Sequence, residues 1–521
     1  MNRIMKGFLI ASLTLLTACA SLPKDHHPEP SYILENTSQT EIGKAATNVL
    51  KHPDYSVMYL LNEGTNAFFA RMSLVELAER SIDVQYYIWR ADLVGKLLFN
   101  AMLKAADRGV RVRILLDDIN TSTEVEGMLY AMDQHENIEV RLYNPFASRT
   151  MRFVDYVLDG FRINRRMHNK SFSADEQMTI VGGRNIGNEY FSADKNSNFS
   201  DLDVLSAGPI VNEVGVQFDI YWNSKVVFPV KVFSHNNASA DELNKLKKEL
   251  VTFAAERKGS SYDLDVQDSE VYRRINNVPG AKKARLFHGE MQVIYDDPAK
   301  GLGRSETEVV YLKTLLRPHL EKVIDSFELI SPYFVPGDRG TEYLTNLVKK
   351  GVKVRALTNS LSSTDGILAQ SGYARQRLNL LRGGVELYEI KSDIKTDASR
   401  SLRRGAKAKS ALHTKTYIFD RKEIFIGSFN FDPRSANINS EVGVVYSVPE
   451  MAELIGSSVF DEAVKEHAYK VELVDDGGGE RIVWVETKDG KEIRYTKDPE
   501  TSAWRRFNES VYSILPIESQ L

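Results

Sequence analysis

Two rhythms of apolar residues alternate along the chain. Runs such as SIDVQYYIW (81–89), RGVRVRILLDD (108–118) and EVRLYN (139–144) are rich in β-branched and aromatic residues and predict strands. Between the first two, Leu93 to Asp107 repeats its apolar positions at helical period, and Gly109 suits the C-cap that turns a helix into a strand. The same order returns as SFELISPYF (326–334), a helical stretch Glu342 to Lys349 followed by Gly351, KGVKVRALTNS (350–360) and VELYEI (385–390). Ser81 and Ser326, like Val140 and Val385, lie 245 positions apart. One domain is therefore duplicated. Alternating strands and helices predict an α/β or mixed α+β fold, a sheet covered by helices, in copies at 55–225 and 301–465. The intervening 226–300 carries a charged helical piece, Asp241 to Arg257, that reads as a solvated linker or lid. Residues 466–521 predict a small β-meander and a short helix packed on the second copy, with no evident chemistry.

At 521 residues the chain exceeds one ordinary core, and its net charge of -4 argues against a general nucleic-acid binder. The start is different in kind. Arg3 and Lys6 precede an apolar run, Phe8 to Leu16, too short to span a bilayer comfortably. Leu16-Thr17-Ala18-Cys19 resembles a bacterial lipobox, which implies a signal peptide over 1–18 and a lipidated Cys19. The polar, Pro-bearing stretch to residue 54 reads as a tether. With Ala20 rather than aspartate after the cysteine, the expected location is the outer membrane, facing the periplasm. Cys19 is the only cysteine, so the mature chain needs no disulfide there.

The chemistry lies in MHNKSFSAD (167–175) and LHTKTYIFD (412–420), which share His-x-Lys-x-x-x-x-Asp at the same 245-residue offset. Strand alternation puts His168 with Lys170, and His413 with Lys415, on one face. Asp175 and Asp420 fall at the turns of predicted hairpins and read as turn or packing anchors. Each following strand ends in small residues and an asparagine: Gly182-Gly183-Arg184-Asn185 and Gly427-Ser428-Phe429-Asn430. Small residues let backbone approach a ligand, and the asparagine supplies an amide donor.

These paired motifs resemble the phospholipase D superfamily, over nearly the whole mature chain. FDIYWNS (218–224), VIYDDPAK (293–300), SSTDGILAQSGYARQRLNLLRGGVELYE (362–389) and LPIESQL (515–521) are similar to segments of bacterial cardiolipin synthases. The resemblance implies two tandem sandwich domains, helices on both faces of a mixed sheet, related by a pseudo-two-fold that brings both motifs to one phosphodiester. One histidine would attack phosphorus and the other would act as acid and base; the commoner family assignment makes His168 the nucleophile and His413 the acid/base. Lys170, Lys415, Asn185 and Asn430 would hold the non-bridging oxygens. Each imidazole needs an acceptor on its far nitrogen. The family places Glu441 in that role, and in the first copy Asp203, with Asp201 as the fallback. No metal or cofactor is implied.

The implied reaction moves a phosphatidyl group from phosphatidylglycerol or phosphatidylethanolamine to the hydroxyl of phosphatidylglycerol. Water intercepting the same intermediate would give phosphatidic acid, and a periplasmic nuclease or other phosphodiesterase is a further alternative, disfavoured by the acidic charge. A non-catalytic binding module is disfavoured because both motifs keep every His, Lys and Asn. The expected partners are membrane phospholipids and a membrane surface, with no nucleic acid.

Two basic segments precede the motifs. In 145–166 a stripe of Met151, Val154, Val157, Leu158 and Phe161 is ringed by Arg149, Arg152, Arg162, Arg165 and Arg166. Such a segment suits either an anionic lipid surface or a helix packed into the core. The equivalent 391–410 is a basic run. Arg165, Arg166, Arg403 and Arg404 are the expected headgroup contacts.

Overall fold

The computed structural model describes residues 22–23, 28–194, 196–233, 239–392, 409–475, 477–488, 490–515 and 518–521. Cys19, Arg403 and Arg404 lie outside them.

In the first copy the strands Ser81–Tyr86, Arg111–Asp117 and Ile138–Tyr143 pair in parallel. Alternate side chains leave this sheet on opposite faces, as strand geometry requires. Val112, Ile114 and Leu116 join the core under helices Gly64–Leu77 and Leu93–Asp107, whereas Leu115 packs with Phe218, Tyr221 and Trp222 of helix Pro209–Trp222 on the other face. Helix Leu93–Asp107 is capped at its start by Asp92, which accepts the Gly95 N–H, and is followed by Gly109 at φ 91°. Antiparallel strands Ser171–Ala174, Met178–Gly182, Asp203–Ala207 and Ser56–Leu61 complete the sheet in that order.

The second copy repeats the plan. Ser326–Ile330, Lys353–Asn359 and Glu386–Ile390 are parallel, and Thr416–Phe419, Glu423–Gly427 and Val442–Ser447 follow antiparallel. Strand Phe287–Tyr295 joins the two sheets, pairing through Phe287–Gly289 with the first and through Glu290–Tyr295 with the second. The copies also share an apolar seam in which Val181 and Val204 cluster with Ile424, Ile426 and Val444. Apolar burial across that seam fixes their relative orientation.

Two segments differ from the sequence reading. Helix Ala240–Arg257 is not a solvated linker: Leu243, Leu246 and Leu250 bury one stripe in the core of the first copy. Its charges occupy the remaining faces, which is why composition alone suggested solvent. The folded body also starts near residue 28 rather than 55. Ser31 and Ile33 donate their N–H groups to Asn223 Oδ1 and Asp219 Oδ2, and helix Glu41–Val49 buries Ile42 and Ala46. The tail extends the second sheet through Ala468–Asp475, Glu480–Lys488 and Lys491–Tyr495, and helix Ala503–Ile514 lies along helix Ile367–Arg382. Among the described residues no helix is long and apolar enough to cross a membrane.

Candidate active site

Each motif begins in extended backbone and enters a hairpin whose turn residues have positive φ: Asp175 and Glu176 near 52°, Asp420 and Arg421 near 51°. The Asp175 carboxylate is fully buried and accepts the N–H groups of Glu79, Arg80 and Ser81; Asp420 accepts those of Ile324, Asp325 and Ser326. The motif aspartates thus tie each hairpin to the start of the neighbouring parallel strand, away from the histidines.

At the other end of each hairpin the copies cross. The His168 N–H donates to the Ser440 carbonyl (2.7 Å) and the His413 N–H to the Ser200 carbonyl (2.8 Å). The next residue in each case is the acid that holds the imidazole. Glu441 Oε2 lies 2.9 Å from His168 Nδ1, and Asp201 Oδ2 lies 2.6 Å from His413 Nδ1. His168 Nδ1 also faces the Ser428 carbonyl at 3.1 Å. With two acceptors before it, that nitrogen must carry the proton, which leaves Nε2 with its lone pair. Tyr87 meets the His168 ring edge-on, and Tyr190 does the same to His413. Both histidines, Asn185 and Asn430 line one cavity of about 690 Å³.

The electrostatics follow from burial beside like charges. Burial, opposed by Glu441 and reinforced by Lys170 and Lys415, pushes His168 down to about 4. Burial and the Lys415 charge lower His413 as well. Burial lowers Lys170 to about 7 and Lys415 to about 8. Burial would raise Asp201, but His413 and Lys415 outweigh it and hold the carboxyl at about 2; Glu441 is lowered in the same way by His168 and Lys170. The site therefore holds neutral imidazoles on ionised carboxylates, next to two lysines whose charge burial disfavours. Each lysine turns its Nζ back to the carbonyl of its own motif histidine. Asn185 is held by the Ile88 N–H and the Tyr190 hydroxyl, and Asn430 Oδ1 is buried without a partner. Among the described residues no group of three or more His, Cys, Asp or Glu side chains gathers as a metal cluster.

Residues 72–222 and 316–461 match the domain family described as "Cardiolipin synthase, PLD-like domain". Cardiolipin synthase C of Escherichia coli (strain K12) is 41% identical over 483 residues, 90% of this chain and 97% of that protein. The chain belongs to the phospholipase D-like cardiolipin synthase family. An uncharacterised protein of Helicobacter pylori (strain J99) is 32% identical over 98% of this chain and 99% of its own. Among solved structures, the phosphatidylserine synthase of Haemophilus influenzae has the same fold, with a TM-score of 0.53 at 13% identity over 84% of this chain and 92% of that one.

Within this cardiolipin synthase family member, one acid differs from expectation. Asp203 does not reach a histidine. It accepts from Arg71 Nη2 (2.8 Å) and from the Arg184 N–H, and stays fully buried. Register explains why: Gly182 pairs with Asp203 as Gly427 pairs with Gly443, so two residues back Asp201 and Glu441 occupy equivalent places. The glycine-rich ends differ to match. Ser428 Oγ donates to Glu441 Oε2 (2.5 Å), whereas a Cβ on Gly183 would collide with the Asp201 carboxylate. Gly182 and Gly427 are likewise too close to Asp203 and to the Val442 carbonyl to carry a side chain. Glu441, expected to serve its own copy, serves the other.

Several supports were not singled out by sequence. Asp296, in VIYDDPAK, accepts the Glu441 N–H (2.9 Å) and pairs with buried Lys300. Tyr221, in FDIYWNS, donates to the Asp296 carbonyl. Those two segments brace Glu441 from behind. Of the expected headgroup contacts, Arg166 is wholly buried and pairs with Asp117, which also accepts the Met167 N–H and so anchors the first motif. Its burial rules out a lipid contact. Arg149 and Arg152 pair with Asp118 and Glu126.

Proposed function

We propose that this protein is a phosphatidyltransferase that makes cardiolipin through a phosphohistidine. The carrying observation is the crossed pair of histidine–carboxylate contacts on one cavity, which holds each imidazole through Nδ1 on an acid of the other copy.

The phosphodiester of a donor phospholipid, phosphatidylglycerol or phosphatidylethanolamine, enters between Lys170 and Lys415 and neutralises their charge. Its anion also favours protonation of an imidazole nearby, and His413 on Asp201 takes that proton. His168 Nε2 attacks phosphorus, the P–O bond to glycerol or ethanolamine breaks, and His413 gives the departing oxygen its proton. Developing positive charge on His168 is stabilised by Glu441, and charge on the oxygens by the lysines, Asn185 and Asn430. A hydroxyl of phosphatidylglycerol then loses its proton to His413 and attacks the phosphohistidine. His168 is released and cardiolipin forms.

The lipobox at Leu16 to Cys19 supports a lipid-anchored protein facing the periplasm, on the outer membrane. Loss of fatty-acid labelling in Cys19→Ala would support the anchor, and undiminished labelling would contradict it. For the reaction, detergent-solubilised protein is incubated with labelled phosphatidylglycerol, with and without phosphatidylethanolamine. Cardiolipin supports the proposal, and phosphatidic acid alone would assign a hydrolase. Full activity in His168→Ala would sink the site.

A further inference from the structure

Among the described residues nothing covers two apolar faces that flank the cavity mouth. Helices Arg152–Leu158 and Gly160–Ile163 carry the first: Phe153 and Phe161 are 69% and 71% exposed, with Met151, Tyr156, Val157 and Leu158 exposed beside them. Helix Ala503–Ile514 carries the second. Trp504, Phe507, Val511 and Ile514 fall on one helical stripe and are all exposed, Trp504 to 69% and Ile514 to 78%, while Glu509 is buried toward Arg377. Scattered exposed apolar residues need no explanation, but two such clusters at one opening do.

Hydrogen bonds fix both faces to the cavity wall. Arg434, which lines the cavity, donates to the carbonyl of Asn164 just past the first face (2.9 Å) and to the carbonyl of Gln520 (3.2 Å) in the tail beyond the second. Asn164 in turn donates to Gln520 Oε1 (2.9 Å). On the second helix, Arg505 donates to the carbonyls of Leu361 and Thr364, beside Asp365 of the cavity wall. The first copy and the tail therefore present their apolar residues around a common entrance, and the second copy holds both in place.

The chemistry of the faces selects an occupant. Trp, Tyr and Phe with a cation beneath them are the side chains that settle at the boundary of headgroups and acyl chains. Half-buried Arg165 stacks on exposed Phe161 at 4.5 Å and sets a positive charge beneath the first cluster. A guanidinium stacked beneath an apolar cluster complements an anionic lipid surface. We infer that the two faces together dock the protein on a phospholipid bilayer with the cavity mouth at headgroup level. This inference rests on the phosphatidyltransfer reading for its substrate and on the two faces for its geometry.

The test uses the full chain reconstituted on phosphatidylglycerol vesicles whose acyl chains carry bromine, a short-range quencher of tryptophan. Trp89, Trp222 and Trp484 are buried, so Trp504 is the reporter. Quenching that disappears in Trp504→Phe supports insertion, and unquenched fluorescence overturns it. In a second arm, the Phe153→Ser/Phe161→Ser variant is expected to lose at least about tenfold in turnover of vesicle phosphatidylglycerol, with short-chain monomeric phosphatidylglycerol turned over as before. Equal loss on both substrates, or no loss on vesicles, contradicts the inference. Self-association lost in that variant, with no quenching in the parent, assigns the faces to a second copy instead. A parent chain inactive on either lipid refutes the transferase reading, while the quenching arm still decides the docking.

Discussion

Replacing Asp201 by Asn preserves shape and removes the charge that orients His413. Turnover should fall by about 10² to 10⁴ with little change in folding, and Glu441→Gln should do the same through His168. Asp203→Asn should behave in the opposite way. It leaves Arg71 buried without its carboxylate, so the loss of about 3 to 5 kcal/mol appears in unfolding, while each folded molecule keeps most of its turnover. Comparing kcat with urea midpoints for the pair separates the two roles. The lysines supply a further check. Held at about 7 and about 8 rather than near 10.5, Lys170 and Lys415 lose their charge as the pH rises through that range, and with it their hold on the phosphodiester anion. KM for phosphatidylglycerol should therefore climb above pH ~8; a flat KM up to pH ~10 would contradict this placement. At this scale His168, Lys170, Asn185 and their partners were legible because their spacing repeats. Asp201 was only a fallback because counting from the histidine gives the wrong residue, and only pairing of Gly182 with Asp203 supplies the right origin.

The elements translate these residues into positions. Gly183→Ala should push the Asp201 carboxylate aside and reduce turnover by about the same factor as Asp201→Asn, because the added methyl and the acid cannot share the space. Unchanged turnover in that variant would show that Asp201 is not held as described. Asp175→Ala leaves three N–H groups of the neighbouring strand without their acceptor, so its main effect should be on stability, by about 2 to 4 kcal/mol, measured by denaturant unfolding. The strand and helix rhythm and the hairpin turns could be read from pattern alone. Helix Ala240–Arg257 could not: its three buried leucines are outnumbered by charges, and only the helices they cover reveal the stripe as core. The burial of Arg166 was hidden for a related reason, since its partner Asp117 is 49 residues away.

For the molecule as a whole, duplication was evident in the 245-residue offset, but the exchange of acids between copies was not. A repeat shows that two sites are alike; which acid faces which histidine depends on how the seam of Val181, Val204, Ile424, Ile426 and Val444 sets the copies against each other. Each half lacks the carboxylate for its own histidine, so neither should catalyse alone. The proposed mechanism requires a covalent intermediate on His168. Rapidly quenched protein, incubated with labelled phosphatidylglycerol and mapped by mass spectrometry, should carry a phosphatidyl group on His168. The adduct should persist in His413→Ala supplied with a donor whose leaving group needs no proton, and be missing from His168→Ala. An adduct on His413, or cardiolipin formed with no adduct in either protein, would contradict it.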